Sequence, residues 1–588
     1  YDFIQKNFSR LERFREAEFT RNWNIENELP SDMNEHSGQF NMHYSASDKL
    51  TLDYRSEMIH RPGEYSGGRN QLNGSYRSKS WDIVLNGDIL NTRQPGYESF
   101  FIKNKASVGK LFPKWQWYGR YQQEWQEGFV SGDSLAGNSF RFHELETWLK
   151  QGQQSQNNWK LGYTYRLDDL PYNNQLAGSS EAHKLGFNYR LLSTKNNNLD
   201  AGIQYRKLSV LKEMAQNDTK AQDNFAGQIR YRHESFNGFL SGNLFYQSGA
   251  GLELKKEYSY LKVPEGQGVY TWTDYNNNGV EELDEFEVAV YQDQADYIRI
   301  YIPGNDYIKT FNNSINLSLD LRPDRLIDDS EGFTAFLSKL SNRFNMNFAD
   351  KNTSTQERLR YLPVSYFIPD SSLMFYNNSL RNVFSWDRLG SVFTADLIYQ
   401  RQDNRSQLVN GEESRQAEIW KIQWRWNISR VVSISNTSGI GNKVYDSQFF
   451  SSKNYNINEK NILMDLRIQP DVNKRIRTFI DFSHRKDSLN GEYSRSISPG
   501  LEYRNNAFIN GMLSARFEYV KVYYSGDTGT SLAWQMLESW QPGDNYRWTL
   551  SFQKRLSNGL QLNLNYQGRK PAGEQTIHTG GVQLRAYF

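Results

Sequence analysis

Residues 420–428 read WKIQWRWNI and alternate between apolar and polar side chains. One face of the extended chain carries only apolar side chains: Trp420, Ile422, Trp424, Trp426 and Ile428. The residues between them are Lys, Gln, Arg and Asn. Because successive side chains of a β-strand point to opposite faces, the stretch predicts a strand with one apolar and one polar face.

The same alternation recurs along most of the 588 residues. Clear repeats lie at 315–321, 548–552 and 560–567. The segments run for about 10–15 residues, whereas ordinary strands have about 5–6. Counting the segments predicts about 26 strands, within a range of about 22–28.

The composition combines many aromatic residues with a polar background. Aromatic residues make up 15% of the chain, charged residues 23%, and the mean hydropathy is −0.80. Strands of about 9–11 residues cross a bilayer, with aromatic girdles at both interfaces. The pattern therefore predicts an all-β fold, a transmembrane antiparallel β-barrel that contacts outer-membrane lipid. A soluble antiparallel sheet with one buried face is the alternative.

Other classes of protein are disfavoured. The net charge is only +2, so nothing in the composition indicates nucleic-acid binding. Cysteine is absent, which excludes disulfides, and no run approaches the ~18 apolar residues of a membrane helix. The chain opens on Tyr1 and not on Met, so we expect that something precedes it.

The connections predict which end of the strands faces outward. Short links alternate along the chain with long ones, and outer-membrane barrels have short periplasmic turns and long extracellular loops. The short links lie at 45–48, 237–238, 389–390, 505–507 and 557–559. The long links lie at 129–139, 211–222, 252–306 and 353–376. A longer link at 324–332 falls on the short side.

The C-terminal strand carries a resemblance to a known class of proteins. Val582, Leu584, Ala586 and Phe588 alternate up to the last residue. This ending resembles bacterial outer-membrane β-barrels, in which the barrel-assembly machinery reads a terminal aromatic residue. The resemblance implies a bacterial outer-membrane location and assembly by that machinery. The long aromatic-rich strands look like large Bacteroidetes outer-membrane proteins, without indicating a particular family.

Two domains are predicted. Residues 1–18 place Phe8, Leu11 and Phe14 at helical spacing, which suits a short periplasmic helix, while a frayed lead-in strand is the alternative. Residues 19–588 form the barrel, and its first strand is expected near 19–25.

Residues 274–285, DYNNNGVEELDE, match a calcium-loop pattern. The predicted ligands are oxygen atoms of Asp274, Asn276, Asn278, Val280, Glu282 and Glu285. Gly279 stands where such loops turn sharply. Glu281 departs from the pattern, because an aliphatic residue is usual there. A structural Ca²⁺ that orders the 252–306 loop is therefore the hypothesis, and a solvated acidic tip is the alternative.

Enzyme motifs are absent: the sequence has no HExxH, no phosphate-binding GxxxxGK[ST] and no GxSxG. We therefore predict that the protein is not an enzyme. Several cations fall on polar faces and are predicted to line the lumen: Arg230, Arg232, Lys421, Arg425 and Arg547.

About 26 strands would enclose a lumen wider than side chains can fill. A plug, a preceding domain, inward-folded loops or a partner protein should occupy it. This favours an envelope transport or translocation machine that passes a large object. The alternative is a scaffold or adhesion barrel that presents surface loops in a multiprotein complex.

Overall fold

The computed structural model contains two compact units, Tyr1–Arg230 and Tyr231–Phe588, which are described separately. The residues that the structure describes are 2–6, 22–25, 34–131, 133–151, 157–192, 196–211, 222–327, 332–354, 356, 360–361, 372–408, 411–448, 450–508, 511–557 and 560–586.

The first unit is an antiparallel sheet in which neighbours in sequence pair with each other. Its strands are β1 Asp2–Lys6, β2 Glu35–Ser47, β3 Leu50–Arg61, β4 Tyr65–Arg77, β5 Trp81–Gln94, β6 Tyr97–Leu111, β7 Trp115–Val130, β8 Ser134–Leu135, β9 Phe140–Gln151, β10 Asn157–Tyr172, β11 Gln175–Leu192 and β12 Asn197–Val210. Strand β13, Gln222–Ser235, contains the boundary between the units.

The second unit has the same antiparallel pairing. Its strands are β14 Leu240–Lys262, β15 Tyr270–Trp272, β16 Phe286–Val288, β17 Tyr297–Leu321, β18 Leu340–Asn352, β19 Leu373–Trp386, β20 Phe393–Leu408, β21 Gly411–Asn427, β22 Val432–Ser447, β23 Tyr455–Ile468, β24 Lys474–Asp487, β25 Tyr493–Phe508, β26 Gly511–Tyr524, β27 Gly543–Ser557, β28 Leu560–Lys570 and β29 Ile577–Ala586. Helices whose bounds are described lie in two of the connections, α1 Gly332–Ser338 and α2 Ser531–Leu537.

The all-β antiparallel prediction is confirmed. Three short strands, β8, β15 and β16, belong to connections, so 26 of the 29 described strands form the main ladders. That number agrees with the predicted one. Over the described ranges, no helix has the length and apolar character that a membrane span requires.

The two faces of the strands differ as the alternation predicted. On β21, Trp420 is 43% exposed, Ile422 55% and Trp426 47%, because no other part of the unit covers them. Directly paired residues share a face in an antiparallel ladder. Leu397 lies opposite Ile422, which extends the apolar face to β20. An uncovered apolar face of this kind suits contact with lipid.

Connection lengths follow the predicted alternation in each unit, with one addition and one exception. In the first unit, the strand ends that flank 131–139 and 211–221, the long connections, lie at one edge. In the second unit, the strand ends that flank 263–296, 353–372 and 525–542 likewise lie at one edge. The addition is 525–542, which carries α2 and is not among the long links predicted from the sequence. The exception is 322–339, the longer link already expected on the short-turn side.

The 252–306 loop is shorter than predicted. Strands β14 and β17 stay paired as far as Lys262 and Tyr297, so the connection proper is 263–296. Hydrogen bonding between the two backbones does not depend on an apolar face. The ladder therefore continues beyond the alternating part of the sequence.

The N-terminal predictions are partly corrected. Asp2–Lys6 is a strand that pairs with β2. The rest of 1–18, where the helix is predicted, lies outside the described residues. Residues 22–25 form a turn and not the expected first strand. Phe588 also lies outside the described residues, so its role as an assembly signal stays a prediction. Val582 and Leu584 are exposed on the apolar face of β29.

Connections at opposite edges of the second unit are expected to lie on opposite sides of the outer membrane, so they should differ in accessibility to antibodies added outside the cell. A short peptide tag at Asn277, in the 263–296 connection, is expected to be labelled from outside intact cells. A tag at Asn237, in a short turn at the other edge, should be labelled only after permeabilisation. Antibody labelling with and without permeabilisation tests this, and equal labelling of both tags would contradict the orientation.

Candidate functional site

Helix α2 packs against the polar face of the second unit and forms its largest buried core. Ala533 and Met536 are fully buried, and Thr530 caps the helix by accepting a hydrogen bond from the Ala533 N–H. The core consists of Ile457, Val520, Val522, Tyr524, Leu532, Ala533, Met536 and Leu537. Val520 and Val522 lie on the same face of β26 as Glu518, which is the polar face. Tyr519 and Tyr523 alternate with them and lie on the outward face. The 525–542 connection is thus folded inward over that face.

The 263–296 connection folds onto the same face and is held there through Glu287. The Glu287 carboxylate lies 3.1 Å from Lys453 Nζ and accepts a hydrogen bond from Ser531 Oγ at 2.6 Å. Tyr275 O–H also donates to it at 3.3 Å. Glu287 is 7% exposed, so this is a buried charge that is paired and hydrogen-bonded, as burial of a charge requires.

Asp293 supplies a second attachment. Two guanidinium N–H groups of Arg569 donate to its carboxylate at 2.8 and 2.7 Å, and the guanidinium also lies 4.0 Å from the centre of the Tyr291 ring. Arg569 lies opposite Arg547 in the ladder, on the polar face. The hydrogen bonds from Arg569 hold the pKa of Asp293 below its usual range. The connection therefore has two polar attachments at different strands.

This pKa shift predicts acid sensitivity. Because the pKa of Asp293 is lowered in the folded state, its stabilising effect is present above about pH 4 and is lost as the pH falls further. The protection of the Gln292–Gln294 amides, measured as exchange relative to the intrinsic rate at each pH, should therefore fall below about pH 4. In Arg569→Gln the exchange should be fast already at pH 7, and a wild-type acid response in that variant would contradict the assignment.

Aromatic packing joins the connection, through Phe286, to the ends of β14 and β17. Phe286 stacks on Tyr260 with ring centres 4.0 Å apart and meets Tyr297 edge-on at 4.9 Å. The short strands β15 and β16 pair above this cluster. The connection is therefore a small folded body at the tip of the β14–β17 hairpin, with ion pairs linking it to the rest of the unit.

The predicted calcium loop lies in this body. Gly279 has φ +72°, as the turn requires, and the Asp274 carboxylate accepts hydrogen bonds from the Asn278 and Gly279 N–H groups at 3.2 and 2.9 Å. Asn276 Nδ2 donates to Glu282 at 2.6 Å. Glu285 is 2% exposed and turns toward Trp272 Nε1, 2.8 Å away.

The oxygen-rich donor set fits Ca²⁺ chemically. The structure places Asp274, Asn276 and Asn278 on one tight turn, with Val280 N–H donating to Asn278 Oδ1 at 2.6 Å. Among the described residues, however, no three acidic or histidine side chains converge as a preformed metal site. The calcium ligands therefore remain a prediction.

The predicted cations on the second unit lie on the polar face. Lys421 lies opposite Gly439, and Arg425 opposite Ser435. Arg547 donates to Glu518 at 2.6 Å. Arg516 also pairs with Glu518, at 3.0 Å, so a carboxylate between two arginines balances charge along this wall.

Strand β13 carries the other two predicted cations. Arg230 and Arg232 alternate there with the exposed Ile229 and Tyr231. This alternation places both cations away from the apolar face of the strand. Arg230 belongs to the first unit and Arg232 to the second.

In the first unit, residues 22–25 occupy the polar face near the edge of the long connections. Trp23 is 7% exposed and packs with Ile59, Tyr65 and Leu90. Tyr65 O–H donates to the Trp23 carbonyl at 2.7 Å, and Asn24 Nδ2 donates to Ser99 Oγ at 2.6 Å. A segment from the N-terminal region is therefore fixed inside this unit.

Sequence reasoning missed the attachment residues Glu287, Asp293, Lys453, Ser531 and Arg569. The only available signal was indirect. Residues 531–537, SLAWQML, break the period-two alternation inside a polar connection, and Thr530 precedes them as a helix cap. Nothing in the sequence indicates that Arg569 and Asp293, so far apart along the chain, contact each other.

No known family model and no curated protein matches the chain. Among solved structures it is similar to the copper transporter OprC, with 8% identity, 91% of this chain and 79% of that chain covered, and a TM-score of 0.32. It is similar to the FrpB iron transporter from Neisseria meningitidis (F5-1 variant), with 8% identity, 92% and 82% covered, and a TM-score of 0.31.

A third similar structure is the ferric enterobactin receptor PfeA of Pseudomonas aeruginosa, with 8% identity, 76% and 72% covered, and a TM-score of 0.29. The three proteins are described as a copper transporter, an iron transporter and a ferric enterobactin receptor. A Bacteroidetes-like origin stays a prediction.

Proposed function

We propose that the chain is the outer-membrane β-barrel component of an envelope transport machine and that its own connections occupy its polar interior. One observation carries the proposal: residues 263–296 form a folded body attached to the polar face by Glu287 and Asp293. Because Phe286 packs on Tyr260 and Tyr297 at the tip of the β14–β17 hairpin, the body can move together with that tip when its polar attachments break. A movable cover is what a transport channel of this size requires.

In this proposal the barrel interior opens when 263–296 leaves the polar face, while α2 stays in place. The buried core around Ala533 and Met536 fixes α2 to the wall. A partner protein or a domain preceding Tyr1 then acts on the 263–296 body from the interior. A scaffold barrel that presents these connections at the cell surface is the competing function, because the buried Glu287–Lys453 pair would also suit a body that never moves.

A reversible lock distinguishes the two functions. The chain contains no cysteine, so Glu287→Cys with Ser531→Cys places the only two thiols at positions whose side chains are in contact, and migration without reductant shows whether the disulfide forms. Planar-bilayer conductance of the oxidised variant should be low and should rise after reduction. Glu287→Cys alone is the matched control and should not respond to reduction. Equal conductance before and after reduction of the double variant would reject transport through a moving cover and favour the scaffold.

We further propose that Ca²⁺ bound by Asp274, Asn276, Asn278, the Val280 carbonyl, Glu282 and Glu285 stiffens the 263–296 body. Such a site supplies charge neutralisation and not catalysis. Its affinity should be modest, about 10⁻⁴–10⁻³ M, as in extracellular modules.

Protease protection tests the calcium proposal. Raising Ca²⁺ from chelator conditions to about 1 mM should slow cleavage within 263–296 in the wild type. Asp274→Ala should abolish this protection, because that side chain contributes charge and orients the turn. The neighbouring Asp284→Ala, which removes no proposed ligand, should retain it. Cleavage that is independent of calcium in the wild type would show that the motif is only an acidic turn.

A further inference from the structure

Four strands of the second unit place a polar row on the apolar face. The direct register partners are Lys460 in β23, His484 in β24, Arg495 in β25 and Tyr523 in β26. Because partners in an antiparallel ladder share a face, all four side chains project on the same side. Ile440 of β22, which is 57% exposed, lies opposite Lys460 and identifies that side as the apolar one.

Two further cations widen the row. Lys486 lies two residues beyond His484 on the same face of β24, and Lys521 lies opposite Ile497 at the β25–β26 pair. The row stands toward the edge that carries 488–492 and 525–542, where the long connections lie. All four cationic side chains, Lys460, Lys486, Arg495 and Lys521, are exposed.

Immediately below the row the face becomes apolar. Ile462 follows Lys460 on β23, Phe482 precedes His484 on β24, and both are exposed. From Ile462 to Ile468 the apolar positions cover about 20 Å at about 3.3 Å per residue. This length approaches the apolar band of about 25 Å in outer-membrane barrels. The cations therefore stand where the hydrocarbon ends and headgroups begin.

Only one of the four cations has a carboxylate as a direct cross-strand partner, because Lys521 lies opposite Asp544. Within the described ranges, none of Lys460, Lys486, Arg495 and Lys521 forms a salt bridge, although their chain neighbours on the polar face do. Two acids lie nearby on the apolar face, and each has another partner. Asp446 accepts from Asn454 at 2.8 Å, and Asp544 accepts from Tyr519 at 2.5 Å.

Aromatic rings support the row. The Arg495 guanidinium lies 5.4 Å from the centre of the Tyr493 ring, which itself lies 5.6 Å from the ring of Tyr523. Amphipathic aromatic residues collect at the membrane interface, with the ring in the apolar zone and the hydroxyl at headgroup level. Both the charge and the aromatic content fit a headgroup contact.

We propose that this cationic row binds the phosphate groups of an outer-leaflet glycolipid. The proposal rests on the outer-membrane location given above. Arginine and lysine are the side chains that pair best with phosphate, and Arg495 can do so with two N–H groups. The row spans three strand spacings, about 14 Å, which exceeds one phosphate and suits a headgroup that carries two. A glycolipid with two phosphates is therefore favoured over a phospholipid with one.

Lipid binding by the purified full chain tests the proposal. Native mass spectrometry would measure retention of diphosphoryl lipid A, with monophosphoryl lipid A and phosphatidylglycerol as comparison lipids. The triple variant Lys460→Gln, Arg495→Gln and Lys521→Gln should bind diphosphoryl lipid A about tenfold more weakly or worse, because three phosphate contacts are lost. Lys474→Gln is the matched control, since it removes a cation from the same face of β24 at the opposite edge, and it should bind as the wild type does.

Each result of the binding experiment either supports or overturns the lipid-binding proposal. Unchanged binding by the triple variant, or equal binding of phosphatidylglycerol and diphosphoryl lipid A to the wild type, overturns the proposal. If the triple variant does not fold, Arg495→Gln must weaken binding and Arg495→Lys must largely retain it, and equal effects overturn the proposal. Heat-modifiable migration reports barrel formation separately. Its absence in the wild type would reject the barrel itself, whereas a normal barrel without phosphate discrimination would reject only the lipid site.

Discussion

Replacing Lys453 with alanine is expected to release residues 263–296 from the polar face of the second unit. Lys453 and Glu287 are 3.1 Å apart, and their side chains are only 11% and 8% exposed. Removing one partner of a buried ion pair leaves an uncompensated charge and costs about 3–5 kcal/mol. The hydrogen bonds from Ser531 and Tyr275 remain, so the cost should fall at the lower end. Hydrogen exchange at Phe286–Val288 measures the release.

Two control variants distinguish the loss of a buried ion pair from nonspecific destabilisation of the unit. Lys443→Ala breaks a 2.7 Å pair with Glu459, but Lys443 is 37% exposed, so the change should cost only about 0–1 kcal/mol and leave 263–296 protected. Adding Glu287→Gln to Lys453→Ala removes the unpaired charge and should restore most of the protection. If Lys453→Ala behaves like Lys443→Ala, then Glu287 does not hold the connection.

The second large effect is expected at Met536. This side chain is fully buried between α2 and the wall formed by Val520, Val522 and Ile457. Met536→Ala removes its packing and leaves a cavity, at a cost of about 2–5 kcal/mol. Since α2 has only seven residues and depends on tertiary packing, it should unfold locally.

Hydrogen exchange across Ser531–Leu537 checks this prediction, with amide protection expected to fall while the strands keep theirs. Phe336→Ala in α1 is the matched control, because Phe336 is 49% exposed and its loss should leave α1 largely unchanged. If α2 keeps its protection in Met536→Ala, the helix is held by other contacts, such as the hydrogen bond from Arg485 to the Met536 carbonyl.

Local sequence patterns predicted correctly those structural features that depend on a single strand or turn. Trp420 and Ile422 appear on the same face in the sequence and in the structure, because side-chain direction in a strand depends only on position. The turn at Gly279 was also predictable, since a positive φ strongly favours glycine. The helical spacing of 531–537 was visible but was overlooked among the strands.

Contacts between distant parts of the chain were not predictable. The pairs Arg569–Asp293 and Ser531–Glu287 join residues more than two hundred positions apart. Their formation depends on where the 263–296 body comes to rest, and each partner alone resembles any polar residue of a connection. The extent of the β14–β17 ladder was misjudged for a similar reason, because two backbones can remain paired without an apolar pattern.

The antiparallel all-β fold, the number of about 26 strands, the apolar and polar faces and the unequal edges can all be predicted from local sequence patterns. The physical reason is that strand period, turn length and the cost of placing charge in lipid all act over a few residues. The packing of the 263–296 and 525–542 connections on the polar face became visible in the folded chain alone. The same holds for the alignment of Lys460, His484, Arg495 and Tyr523 in one row. These arrangements depend on register between strands and on docking of separate segments, which no local pattern encodes.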